Sequence, residues 1–228
     1  MSLDTIRTAY PVNLYLLRHT EAYKNLHDVH GGGDQRLTPV GRYQAKTLGS
    51  YLLDVCTESL QIVHQPEGRS KVTAQRIGMI ASRSIIEMPE LVGVGLGVVS
   101  GLSQKELEAK HPEVAAAISA WRANKGSLSQ RPRVPGSEHM EDFANRIHCG
   151  LSKSVELCGP SDSLAIVGTT STLNMMNHLL INDGKFIRPL YDFVEFPLGS
   201  LTTWQLSLEP PRQIMPITTL NGNKGVTA

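Results

Sequence analysis

Arg18 and His19 stand side by side at the end of an apolar run, Val12–Leu17, and are followed by Thr20 and Glu21. A guanidinium next to an imidazole suits one kind of chemistry in particular. Arginine grips the oxygens of a phosphate or carboxylate through paired, charge-assisted hydrogen bonds. A neutral imidazole nitrogen can attack phosphorus and carry the phosphoryl group to another acceptor. A lone histidine more often has a structural role, so the pair needs support from elsewhere in the chain. Two further polar clusters also follow apolar runs. Arg69 lies just beyond Leu60–His64, and Gly168-Thr169-Thr170-Ser171 lies beyond Leu164–Val167.

Other combinations are less promising. His27 and His30 flank the glycine run Gly31–Gly33, but no acidic or cysteine partner has metal-ligand spacing, so no metal site is expected. The glycine run is not followed by G-K-[ST] and is not a nucleotide P-loop. The cysteines Cys56, Cys149 and Cys158 form no C-x-x-C pair, which argues against a disulfide framework or zinc and for a reducing cytoplasm. With 22 basic against 21 acidic residues, the chain has no long-range attraction for nucleic acid or an anionic membrane. Met1–Tyr10 lacks the pattern of a secretory signal, and no run of about 18 apolar residues would cross a bilayer. At 40% hydrophobic and 19% charged residues, the chain has enough apolar surface to fold, and one domain over residues 1–228 is expected.

The elements that must position these groups can be read from periodicity and punctuation. Val12–Leu17, Leu60–His64, Ile85–Met88 and Leu164–Val167 read as strands, with late strands at Ser200–Leu208 and Gln213–Leu220. Thr38-Pro39 opens a helix as N-cap and first residue, with Val40, Leu48, Leu52 and Val55 on its apolar face. A helix begins near Arg69, and Ser103 with Glu106 forms a capping box. Val114–Trp121 continues helical beyond Pro112. Leu91–Gly101 and Lys125–Gly136 read as loops. Met140, Phe143, Ile147, Leu151 and Val155 recur at helical spacing, and a further helix, with Met175-Met176 on its core side, runs to Leu180. Gly222–Ala228 reads as frayed. Strands alternating with helices predict an α/β fold, a mostly parallel central sheet with helices on both faces. Ligands of such folds bind beyond the carboxyl ends of the strands, where all three polar clusters fall.

Four segments, in order, resemble the histidine phosphatase superfamily, whose fold is phosphoglycerate-mutase-like. Leu17-Arg18-His19-Thr20-Glu21 with Asn25 is similar to its L-R-H-G-E…N signature, and Leu37–Ala45 to its L-T-x-x-G-x-x-Q-A helix start. Pro66-Glu67-Gly68-Arg69 with Thr73-Ala74 resembles P-x-x-R-x-x-x-T-A, and Pro135–Glu138 resembles a G-E-S-like loop beside the pocket. The resemblance covers residues 13 to 205. It implies that His19 is phosphorylated in catalysis and that Arg18, Asn25 and Arg69 hold the phosphate. Thr20, Thr169, Thr170 and Glu138 are further candidates for substrate contact. Thr20 replaces the usual glycine and would narrow the pocket. No cofactor is implied.

Two departures bear on activity. The glutamate that family members use to protonate the leaving oxygen falls on Gly93, counting from Gly97–Gly101. Glu87 and Glu90 lie nearby but read as surface acids. The second histidine of the family's S-H-G segment falls on Thr169, which donates only a neutral hydrogen bond. His178 lies too far along its helix to replace it, and His139 reads as a rim residue. Loss of a general acid costs about 10²–10⁴-fold in rate, roughly 3–5 kcal/mol of barrier. The reading is therefore a slow phosphohydrolase acting on a small phosphorylated metabolite through phospho-His19. Two alternatives stay open: an inactive protein that binds a phosphorylated ligand or a partner, and a pocket recruited to other chemistry. The sequence offers no readable oligomer interface.

Overall fold

The computed structural model describes residue 8 and residues 12–27, 29–56, 59–124, 131–160, 162–187, 194–207, 210–220 and 226–227. Strand β1 (Val12–Arg18) is followed by α1 (Pro39–Val55), β2 (Ser59–His64), α2 (Gly68–Ala81) and β3 (Ile85–Glu87). Short helices α3 (Gln104–Lys110) and α4 (Pro112–Ala123) precede the long α5 (Met140–Glu156). Then come β4 (Asp162–Gly168), α6 (Thr170–Ile181), β5 (Ser200–Leu206), β6 (Arg212–Leu220) and β7 (Val226–Thr227). The strands form one sheet in the order β3-β2-β4-β1-β5-β6-β7.

The period-2 alternation of the central strands divides the core into two layers. Leu14 and Leu16 of β1, with Leu164 and Ile166 of β4, face α5 and α6, where Phe143, Ile147, Leu151, Met175 and Met176 are buried. Tyr15, Leu17, Ala165 and Val167 face α1 and α2, packing on Leu48, Leu52, Ala74 and Ile77. Each fully buried large apolar side chain contributes about 1.5–3 kcal/mol, so both faces fix the register of β1 and β4.

The four strands β3, β2, β4 and β1 are mutually parallel, as expected, and three of them, β2, β4 and β1, carry the candidate site. The pairs β1–β5, β5–β6 and β6–β7 are antiparallel. The link between β5 and β6, residues 207–211, is too short for the crossover of a dozen or more residues that parallel pairing requires. Val226–Thr227, expected to fray, pairs instead with Thr219 and Leu220.

The caps form as read. Thr38 Oγ1 accepts from Gly41 N at 3.0 Å, and Ser103 and Glu106 close a capping box. The apolar face of α1 differs. Val40 and Val55 are 53% and 41% exposed, and the buried side is Gly41, Ala45, Leu48, Gly49 and Leu52. Small residues carry this face because neighbours approach closely. A Cβ at Gly41 would lie 1.9 Å from the Glu21 carbonyl oxygen, and one at Gly49 would lie 3.0 Å from Ile80 Cβ. The Leu91–Gly101 loop contains a 3-10 turn at Gly97–Val99 and follows another at Pro89–Leu91.

Candidate active site

The carboxyl ends of β1, β2 and β4 stop in register. Arg18 pairs with Gly168 and His64 with Val167, and the next residues continue the ladder. His19 N donates to the Gly168 carbonyl at 3.0 Å and Gln65 N to the Val167 carbonyl at 3.2 Å. His19, Gln65 and Thr169 are thereby set side by side at one edge of the sheet. Helices α2 and α6 start immediately beyond, so their N-terminal ends, where partial positive charge gathers, adjoin the same place.

His19 is 2% exposed. Its Nδ1 lies 2.9 Å from the Thr20 carbonyl oxygen. A carbonyl only accepts, so Nδ1 carries the proton and Nε2 keeps its lone pair. Arg69 Nε donates to that Nε2 at 3.0 Å. Burial, first, and the neighbouring Arg69 and Arg18 charges hold the His19 pKa well below the ordinary imidazole value. The ring is therefore neutral at physiological pH, the state a nucleophile needs.

Cations surround the imidazole. Arg69 is oriented by Gln35, whose Oε1 accepts from Arg69 N at 3.3 Å and from its terminal nitrogen at 3.0 Å. Arg18 donates to the Phe196 carbonyl, while its buried Nε has no hydrogen-bond partner among the described residues. Burial pulls Arg18 down to about 10, Glu195 opposes this, and Arg69 adds to it. Lys24 donates to the Gly31 carbonyl at 3.1 Å, and burial with the Arg69 and Arg18 charges brings it down to about 8. Burial lowers all three cations, Arg69 further depresses Arg18, and both depress Lys24, which marks a place where a dianion would be stabilised. Lys24 also explains one glycine of the run. At Gly33, with φ +80°, a Cβ would come 2.9 Å from Lys24 Cβ.

The remaining residues singled out in the sequence take distinct places. Asn25 Oδ1 accepts from Ala22 N at 2.9 Å and holds the turn after β1, leaving the amide nitrogen as its donor group. Thr20 is fully buried, and its N and Oγ1 each lie 3.1 Å from Thr73 Oγ1, which joins β1 to α2. Thr169 is the N-cap residue of α6, and its N donates to Gln65 Oε1 at 2.8 Å. Thr170 is the first residue of α6, and its carbonyl accepts from Asn174 Nδ2 at 2.9 Å. Glu138 is brought to a neighbouring loop rather than to His19. It accepts from Arg146 at 3.0 and 2.7 Å and from Gly95 N at 3.0 Å. Arg146 also donates to the carbonyls of Glu90, Val92 and Gly93, so the pair fastens the loop that carries Gly93.

Glu87 and Glu90 are engaged on the surface with Lys71 and Lys153. His139 is exposed, and His178 is 2% exposed inside its helix. His30 is buried at 9% and lies 3.3 Å from Gln104 Oε1, and no metal-binding group of histidine, cysteine and acidic side chains occurs among the described residues.

Lys24, Gln35, Gln65 and Glu67 join the site without having been picked out as site residues. For Gln65 and Glu67 a signal existed, because both follow directly on a strand that ends at the site. Lys24 had the weaker signal of lying between Thr20 and Asn25. Gln35 had none. Gln65 Nε2 and Glu67 Oε2 are buried and have no hydrogen-bond partner among the described residues.

Comparison with known proteins gives the family and the fold. Residues 14–191 match the model of the histidine phosphatase superfamily (branch 1), and the chain belongs to that superfamily. A probable phosphoglycerate mutase GpmB of Salmonella paratyphi C is 28% identical over 147 residues, and that of Salmonella choleraesuis 29% over 150. Each alignment spans 64% of this chain and 64% of the relative. Among solved structures, a putative alpha-ribazole-5'-P phosphatase from Escherichia coli superposes with a TM-score of 0.72 at 19% identity, covering 96% of this chain and 100% of that one. Mycobacterial glucosyl-3-phosphoglycerate phosphatase gives 0.69 at 19% identity, covering 90% and 98%. These structures establish the shared fold.

Proposed function

We propose that the protein is a phosphohydrolase that removes the phosphoryl group from a small phosphorylated metabolite through a phospho-His19 intermediate. The carrying observation is the state of His19. Its Nδ1–H is fixed on Thr20, and its Nε2 lone pair points at Arg69 Nε, 3.0 Å away. When a phosphate monoester enters, Arg69 exchanges this bond for the phosphate oxygens, joined by Arg18, Lys24 and Asn25. Nε2 attacks phosphorus, the P–O bond to the leaving alcohol breaks, and water then releases phosphate from the histidine. The solved relatives named for phosphatase activity on small phosphorylated compounds support this substrate class.

The absence of a cation at Thr169 makes the enzyme slow. Gln65 Nε2 is the neutral donor nearest in role, since Gln65 Oε1 already holds Thr169 N. The same lack of a cation favours a second reading, a phosphate-binding protein without turnover. A panel of small phosphoesters separates the two. Phosphate release that disappears in His19→Ala is the expected result. Vanadate or phosphate binding with no release above the His19→Ala background would establish the second reading and overturn the first.

A further inference from the structure

We infer that Glu67 is the general acid of this site, an inference that rests on the phosphohydrolase reading above. Gly93, where the sequence comparison looks for an acid, has no side chain, but a carboxyl group already occupies the adjoining space. Glu67 Oε1 accepts from Gly93 N at 2.6 Å. A Cβ at Gly93 would lie 2.8 Å from that oxygen, 3.4 Å from Thr169 Oγ1 and 3.7 Å from Ser171 Oγ. The carboxyl group therefore enters the pocket from the β2 side, at the point a side chain from the opposite loop would have reached. It is also close enough to Arg69, the residue bonded to His19, for its charge to act on that guanidinium.

The two oxygens are differently placed. Oε1 is anchored on the backbone, which fixes the carboxyl plane. Oε2 is buried and has no hydrogen-bond partner among the described residues. Buried polar atoms without partners are few in native proteins, and functional sites account for a share of them. With the proton on Oε2, Glu67 donates it to the alcohol oxygen as the P–O bond breaks and Nε2–P forms. The alcohol leaves neutral and Glu67 is left as carboxylate. That carboxylate then takes a proton from the water that attacks phospho-His19, which restores the acid. No metal or further reactant is needed for the balance.

The test compares an alkyl phosphate with p-nitrophenyl phosphate, whose leaving group needs no proton, in wild type, Glu67→Gln and His19→Ala. Glutamine keeps an acceptor for Gly93 N, so the loop stays anchored. General acids typically contribute about 10²–10⁴-fold, and Glu67→Gln should lose about that factor in kcat on the alkyl ester but less than about tenfold on p-nitrophenyl phosphate. An equal loss on both substrates, or no loss, overturns the assignment while leaving the phosphohydrolase reading intact. Wild-type rates across a series of leaving groups supply an arm that needs no variant. A shallow dependence supports an acid in the site, and a steep one overturns it. A wild type with no turnover beyond His19→Ala overturns both readings together.

Discussion

Replacing Arg69 by methionine separates its two tasks, holding the anion and holding the imidazole. The side chain donates from Nε to His19 Nε2 and from a terminal nitrogen to Gln35 Oε1, and it stands among the Arg18 and Lys24 charges. A charged hydrogen bond is worth about 1.5–3 kcal/mol, so losing this grip should weaken phosphate or vanadate binding by about 10–150-fold. Arg69 is also the second cause, after burial, of the low His19 pKa. Removing it should move that pKa upward, and the burial that remains should keep it below the ordinary imidazole value near 6.5. Calorimetric titration with vanadate reads the first effect, and NMR titration of the His19 ring reads the second. Binding within threefold of wild type, with an unmoved imidazole pKa, would show that Arg69 is not the phosphate ligand and would refute the arrangement proposed for His19.

Lys24 titrates near 8, and its protonated form is the one that attracts a dianion. The Lys24 contribution to phosphate affinity should therefore be full below that pH and be lost as pH rises through it, so the difference between wild type and Lys24→Met should be large at pH 7 and small at pH 9 in isothermal titration. Gly41→Ala should destabilise the fold by about 2 kcal/mol or more in urea unfolding, because the added Cβ would sit 1.9 Å from the Glu21 carbonyl oxygen and the first turn of α1 must move. A loss under about 0.5 kcal/mol would mean that α1 is not fixed where described.

The strand-end logic was legible because it depends on local pattern. Val12–Leu17 and Leu164–Val167 are apolar runs that end abruptly in polar residues, and parallel pairing brings those ends together. Thr38 and Ser103 announced their helices through cap chemistry that acts within three residues. The α1 face was misread because valine looks like a core residue and glycine does not. Only the approach of Glu21 and Ile80, far apart in sequence, makes glycine the residue that fits. The role of Glu138 was equally hidden, since Arg146 lies eight residues on, within α5, and its bonds to Glu90, Val92 and Gly93 depend on tertiary folding. Glu67 reads as an ordinary acid beside a helix start until the backbone of Gly93 is placed against it.

The fastening of residues 92–95 by Arg146 and Glu138 has a consequence for selectivity. A wall ordered during folding does not have to be ordered again at each encounter with substrate, so binding free energy is not diverted into closing it. The cost is breadth. Under the proposed reaction, an alcohol that fits against this loop and the Glu67 carboxyl meets a surface already shaped for it, whereas a bulkier one must break the Arg146 bonds to the Val92 and Gly93 carbonyls before it can lie down. Discrimination among phosphoesters should then fall on the shape of the leaving alcohol, with the phosphate end held alike in all of them.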